Sequence, residues 1–256
     1  MSMDHYKLFF KQLADVSAEI IRPYFQNPQL QVESKTDQSP VTAADRGAEA
    51  AMRKLINQKY PDHGIIGEEY GNEGDDAEWV WTLDPIDGTL SFIHGVPLYG
   101  TIVSLLHNGQ PVMGMIHQPE QGLLCIGDNH QTEVNDRPVR MRAIESVYQA
   151  TLLATDIDHI RAHQNFKAFY ELVKSVHLFR TWGDCYGYMM LAAGRADIMI
   201  DPVMHTWDLL PLIPIITGAG GHISGWQGED AATAKSCVAA HRHWHTYIIE
   251  QLNKAV

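Results

Sequence analysis

The sequence predicts an α+β architecture of packed layers, and three observations predict it. Helical periodicity opens the chain, three β-rich runs follow one another across 98–126, and beyond 150 short strands alternate with helical patterns. At 6–24, Tyr6, Phe9, Phe10, Leu13, Val16, Ile20 and Ile21 recur at three and four, an amphipathic helix. A second helix is expected over 42–60 with Ala44, Ala48, Ala51, Met52, Leu55 and Ile56 inward, and Thr42 with Asp45 fits a capping box at its start. Gly-Ile-Ile-Gly at 64–67 reads as a short strand ending in Glu68 and Glu69, and 78–83 as a buried strand. The runs 98–106, 111–117 and 122–126 are separated by Asn108-Gly109, a hairpin signal, and by 120–122. Polar 128–142 lacks periodicity and marks the expected boundary between an N-terminal lobe, 1–140, and a C-terminal lobe, 141–256. Next come a strand at 151–154, a helix at 159–176, a helix at 186–193 stopped by Gly194, a strand at 196–200 and a helix at 206–217. Short strands near His222 and Cys237 and a last helix from His243 complete the order.

A chain of 256 residues with 45% hydrophobic content can bury one large core or two modest lobes. No stretch approaches a membrane span, and residues 1–11 lack the apolar run of a signal peptide. The three cysteines, Cys125, Cys185 and Cys237, are odd in number and scattered, so they give no disulfide framework; a cytoplasmic protein with no membrane partner is expected. A net charge of −12 opposes a nucleic-acid partner, whose phosphates are met by Lys and Arg. His241, His243 and His245 crowd together. On a helix His241 and His245 would share a face fit for a transition metal, while a solvated helix start accounts for them equally well.

The chemistry concentrates at 84–92, Asp-Pro-Ile-Asp-Gly-Thr-Leu-Ser-Phe, directly after the buried strand. Asp84 and Asp87 offer hard oxygen ligands, and Pro85 fixes its φ and removes a donor, so a sharp turn is expected that lets the Ile86 carbonyl point the same way. Gly88 and Thr89 then open a helix whose free N–H groups suit a phosphate. Asp-Pro and Asp-Gly alone are ordinary turn dipeptides. With Glu68 and Glu69 closing an upstream strand and Trp207-Asp208 opening a downstream apolar segment, the acids read as one cluster for metal-assisted phosphate chemistry.

These motifs resemble the inositol monophosphatase family of Mg-dependent, lithium-sensitive phosphatases. The likeness is carried by 35–45 (Lys-Thr-Asp-Gln-Ser-Pro-Val-Thr-Ala-Ala-Asp), Gly67-Glu68-Glu69, 84–92 and His205-Thr206-Trp207-Asp208, in the family's order and over nearly the whole chain. The resemblance implies a five-layer αβαβα sandwich, a homodimer, and two or three Mg ions per site. It makes Glu68, Asp84 and the Ile86 carbonyl ligands of a first Mg, and Asp84, Asp87 and Asp208 ligands of a second. Thr89 and Asp45 match the pair that orients and deprotonates the attacking water, and the Gly88 and Thr89 N–H groups would hold the phosphate. Glu69 is expected to support these ligands, and Lys35 either to sit near the metals or to be an ordinary loop lysine. All-oxygen ligation favours Mg over zinc.

On the leaving-group side, 180–188 reads Arg-Thr-Trp-Gly-Asp-Cys-Tyr-Gly-Tyr. It is similar to the Arg-x-Trp-Gly-Asp-x-x-Gly-Tyr motif of the histidinol-phosphate phosphatase branch rather than to the inositol type. Asp184, with Asp201 seven residues before Asp208, would set carboxylates beside an ammonium and an imidazole. Trp182 and Tyr188 would stack on a ring or cation, or for Tyr188 simply pack the core. Arg180 either touches substrate or pairs with Asp184 or another acid. The resemblance therefore implies a Mg-dependent hydrolase of histidinol phosphate, a small phosphorylated metabolite of histidine biosynthesis. The alternatives are an inositol or broad-specificity sugar monophosphatase, and a binding protein for RNA or transcription machinery.

Overall fold

The computed structural model of the chain describes residues 3–35 and 40–255. In order, its elements are α1 (Asp4–Ile21), β1 (Val32–Ser34), β2 (Pro40–Thr42), α2 (Ala43–Lys59), β3 (Gly64–Gly67), β4 (Gly71–Glu73), β5 (Trp79–Asp87) and α3 (Thr89–Ile93). Then come β6 (Gly100–His107), β7 (Gln110–Gln118), β8 (Leu123–Gly127), β9 (Thr132–Val134), β10 (Arg137–Val139), β11 (Thr151–Ala154), α4 (Ile157–His163) and α5 (Phe166–Ser175). The chain closes with β12 (Leu178–Arg180), α6 (Asp184–Ala192), β13 (Ile198–Asp201), α7 (Thr206–Gly218), β14 (Gly221–Ser224), β15 (Cys237–His241) and α8 (Arg242–Asn253).

Two sheets and three helical layers alternate, as the five-layer expectation requires. The eight-stranded sheet runs β10-β9-β8-β7-β6-β5-β3-β4 and the five-stranded sheet β12-β11-β13-β15-β14. Strand periodicity sorts their side chains. Trp81, Leu83, Val103 and Leu105 face α1 and α2, with Trp81 edge-on to Phe9 and Phe10 at 5.4 and 5.3 Å between ring centres. From the other face Ile102 and Ile116 meet α6, α7 and the inward side of the small sheet (Leu153, Met199, Ala239), while Leu152, Ile198 and Val238 point outward to α5 and α8. Helix α7 is apolar nearly all round, which suits a helix buried between two sheets.

The Thr42–Asp45 capping box is present, and the Asn108-Gly109 turn has positive φ at both residues, as a two-residue hairpin needs. Three expectations are corrected. The single helix over 159–176 is two, because the Asn165 side chain accepts from the Ala168 N–H and starts a new helix. The stretch 128–142 is not featureless: β9 and β10 form a hairpin that extends the large sheet through β8. Residues 178–180, of which only Arg180 figures in the sequence reading, at the start of a motif, form an edge strand parallel to β11. Among the described residues, no helix is long and apolar enough to cross a membrane.

Candidate active site

Asp84 and Asp87 lie three positions apart, which in a regular strand would send them to opposite faces. A one-residue bulge prevents this. Asp84 pairs with Ile102 and Asp87 with Gly100, so three steps on β5 face two on β6. Pro85 sits in the interrupted stretch, where its missing N–H costs no ladder bond, and its carbonyl accepts the Thr101 hydroxyl at 2.8 Å. The sharp turn expected from Pro85 is thus a bulge within a continuing strand. Asp208 arrives from the first turn of α7, where the His205 N–H donates to its Oδ2 at 2.8 Å. Asp84, Asp87 and Asp208 each present an oxygen within 4.8 Å of the others.

Crowding these acids is electrostatically costly. Burial, then the charges of Glu68, Asp87 and Asp208, hold the Asp84 carboxyl well above the usual carboxylate range. Burial, with the neighbouring acids, likewise raises Asp87 and Asp208 to about 7. A divalent cation would relieve the repulsion, and an all-carboxylate donor set is what Mg-like ions take, so the residues fit the metal.

Around the cluster, Lys35 bonds Glu68 at 2.7 Å and Glu69 at 2.5 Å. The next motif residues, Thr36, Asp37, Gln38 and Ser39, lie outside the described residues. Buried Glu49 braces this corner by accepting from the Glu69 and Tyr70 N–H groups and from Arg53. Ile86 donates its N–H to Asp84 at 2.9 Å, and its carbonyl accepts the Thr89 hydroxyl at 3.0 Å. Thr89 shares no hydrogen bond with Asp45 among the described residues. Oδ2 of Asp45 accepts the Thr42 N–H and hydroxyl, and burial raises its carboxyl above the ordinary range. Gly88 caps α3 at φ 83°, and a side chain there would meet Asp184 Oδ2 at 3.0 Å, so glycine lets the two segments touch. Lys35, Glu68, Asp84, Ile86, Asp87, Gly88, Thr89, His205, Trp207 and Asp208 line one cavity of about 300 Å³.

A second cavity of about 120 Å³ shares Asp87 and Asp208 with the first and continues past Asp184, Cys185, Tyr188 and Asp201. The N-terminus of α6 is docked onto the carboxylate cluster, with the Cys185 N–H donating to Asp87. Asp201 is already satisfied: Thr155 N–H donates to Oδ1 at 3.1 Å and the Tyr188 hydroxyl to Oδ2 at 2.8 Å. Burial raises Asp201 to about 6. Burial, then the charges of Asp87 and Asp201, raises Asp184 well above the carboxylate range.

The ring of Tyr188 is 1% exposed in the central core, so it orients Asp201 and has no face free for stacking. Trp182 and Arg180 are exposed and line neither cavity; Arg180 donates to the Phe179 carbonyl and pairs with no acid among the described residues. Thr155, Asp156 and His159, on the cavity wall, were missed by sequence reasoning. The available signal was Thr155-Asp156 following the apolar run 151–154, the strand-end position that also singles out Glu68 and Asp84. The histidine cluster does not assemble as a ligand set. His241 caps α8, whereas buried His245 bonds Ser224 and packs against His222.

A carboxylate cluster beside a helix start, opening into a second cavity, suits a metal-dependent phosphate-ester hydrolase. Comparison with known proteins agrees: the model of the Inositol monophosphatase family matches residues 3–256, and the chain belongs to that family. It is 40% identical over 230 residues to "Bifunctional phosphatase IMPL2, chloroplastic" of Arabidopsis thaliana, covering 89% of this chain and 66% of that protein. It is 37% identical over 226 residues to "Histidinol-phosphatase" of Chlorobaculum parvum, covering 86% and 85%. The solved structure of an inositol monophosphatase from Zymomonas mobilis superposes with a TM-score of 0.88 at 33% identity, over 99% of this chain and 100% of that one. With the family comes the class, a metal-dependent phosphatase.

Proposed function

We propose that the chain hydrolyses L-histidinol phosphate to L-histidinol and inorganic phosphate, a step of histidine biosynthesis. The observation that carries this is the acid-lined second cavity. Asp156, Asp184 and Asp201 line the space next to the phosphate end, where a neutral polyol would need only neutral hydrogen-bonding groups and a cationic leaving group rewards charge. The likeness to the Chlorobaculum protein supports the same reading.

In this reading Glu68, Asp84 and the Ile86 carbonyl would hold one Mg and Asp84, Asp87 and Asp208 another, for two or three ions in all. Bound divalent ions supply Lewis acidity toward the phosphoryl group and its attacking water. Asp45, made more basic by burial, takes the proton of that water, and Thr89 orients it. The Gly88 and Thr89 N–H groups hold phosphate oxygens at the start of α3. The P–O bond to histidinol breaks in line with attack, the leaving oxygen takes up a proton from solvent water, and Asp184 receives the leaving group's cationic end. Residues 1–140 supply every proposed metal ligand but Asp208, which 141–256 contribute with the leaving-group contacts. Turnover should vanish with EDTA, return with Mg and fall with lithium. Side by side, histidinol phosphate should give a higher kcat/KM than inositol 1-phosphate or adenosine bisphosphate; a preference for inositol 1-phosphate would overturn the substrate.

The protein is further proposed to be a homodimer. A groove of about 440 Å³ lined by Leu123, Val134, Val139, Tyr186, Met189 and Met190, with Asn135, Arg137 and Arg195 beside them, leaves mixed apolar and polar surface for a second copy. Light scattering at micromolar concentration should give a dimer mass, and a monomer mass would contradict it.

A further inference from the structure

We propose that Thr155 is a positioning residue for substrate discrimination, aligning Asp184 and Asp201 around the leaving group while leaving the phosphate end untouched. The proposal rests on the second cavity being the leaving-group site. Thr155 stands at the C-terminal end of β11 and bonds both acids through different groups. Its N–H donates to Asp201 Oδ1 at 3.1 Å, and its hydroxyl accepts the Asp184 N–H at 2.9 Å. It is thereby a shared anchor for two chain segments that meet only in the fold.

The Asp184 end needs such an anchor. Asp184 has φ 50°, a left-handed conformation unfavourable for a residue with a side chain, and its N–H must be turned toward a partner to hold it there. Next to it, Gly183 lies so close that an added Cβ would sit 2.4 Å from the Thr155 Cα and 2.5 Å from its Oγ1. The backbone of 183–184 is therefore pressed onto Thr155, and the hydroxyl sets how Asp184 leaves that contact to reach the cavity. Asp184 in turn lies against Gly88, at the junction of the two cavities. Nothing bonds Thr155 to Asp84, Asp87 or Asp208 among the described residues.

Thr155→Val keeps the shape and removes the acceptor; Thr155→Ser restores the acceptor with a smaller side chain. Both are assayed with histidinol phosphate and with glycerol phosphate, which lacks a cationic end. The valine variant should raise KM for histidinol phosphate by about tenfold, the upper range for one lost hydrogen bond, with kcat within about twofold. Both constants for glycerol phosphate should stay within about twofold, and the serine variant should return KM for histidinol phosphate to wild type. Equal losses on the two substrates, unchanged KM, or failure of serine to rescue would overturn the positioning role. If the valine variant does not fold by circular dichroism, Thr155→Ala replaces it, and failure of both to fold would make the residue purely structural. A wild-type preference for inositol 1-phosphate would sink the substrate reading alone. Thr155 would then be judged by the same comparison of inositol 1-phosphate with glycerol phosphate, where an unchanged KM overturns it.

Discussion

The two cavities that share Asp87 and Asp208 are built on opposite principles. At the proposed phosphate end Asp84, Asp87 and Asp208 crowd their like charges together, and a β-bulge and a helix start hold them there. At the proposed leaving-group end Asp201 has both oxygens occupied by Thr155 and Tyr188, and Asp184 is held by its backbone. The first end awaits cations, whereas at the second the protein completes Asp201 and leaves the Asp184 carboxyl for a ligand. Changes at the first should therefore abolish chemistry for every ester, and changes at the second should re-rank substrates.

The largest effect is expected from Asp87→Asn, which keeps the shape and removes the charge. Turnover should drop by roughly a hundredfold or more for histidinol phosphate and glycerol phosphate alike, beyond what loss of a supporting partner costs. Wild-type rates, checked at saturating Mg with circular dichroism as the control on folding, would exclude Asp87 from the cluster.

Next is the pH dependence of the metal-free protein. Asp87 and Asp208 titrate near 7 in the fold against about 4 in an unfolded chain. Between those values the folded state binds more protons than the unfolded one. Their contribution to stability is therefore full below about pH 4 and is lost as pH rises through about 7. Thermal unfolding of the EDTA-treated protein should fall in midpoint from pH 5 to 8, and Mg should raise it more at pH 8 than at pH 5. An equal gain at both would break the contrast between an end that awaits cations and one that does not.

The smallest effect belongs to Tyr188→Phe, which removes one donor from Asp201. A stability loss of about 1 kcal/mol by urea unfolding is expected, with glycerol phosphate turnover unchanged. A loss of glycerol phosphate activity would mean the two ends are coupled through the core.

The same contrast explains what was legible in the sequence. Asp84, Ile86, Asp87, Gly88 and Thr89 are chain neighbours, so one glance at 84–89 gathers most of the phosphate end. The helix around Asp45 and the buried strand before Asp84 were equally readable from periodicity and capping. The bulge was not, because nothing in Asp-Pro-Ile-Asp distinguishes a turn from a strand that slips by one residue. Thr155, Asp184 and Asp201 are joined only by the packing of β11, β13 and α6. Sequence could name Asp184 and Asp201 as acids in a pattern, but not that Thr155 ties them together. For Tyr188 the sequence leaves stacking and core packing open, and its depth in the core decides for the second and gives the hydroxyl to Asp201.

Most direct is the ratio of kcat/KM for histidinol phosphate to that for glycerol phosphate, measured in the wild type and in Asp184→Asn. A charge-assisted contact is worth about 1.5–3 kcal/mol, so the ratio should fall roughly 10- to 150-fold through the histidinol phosphate arm, with glycerol phosphate nearly unchanged. A ratio that stays constant while both activities decline would contradict the division of labour between the two ends.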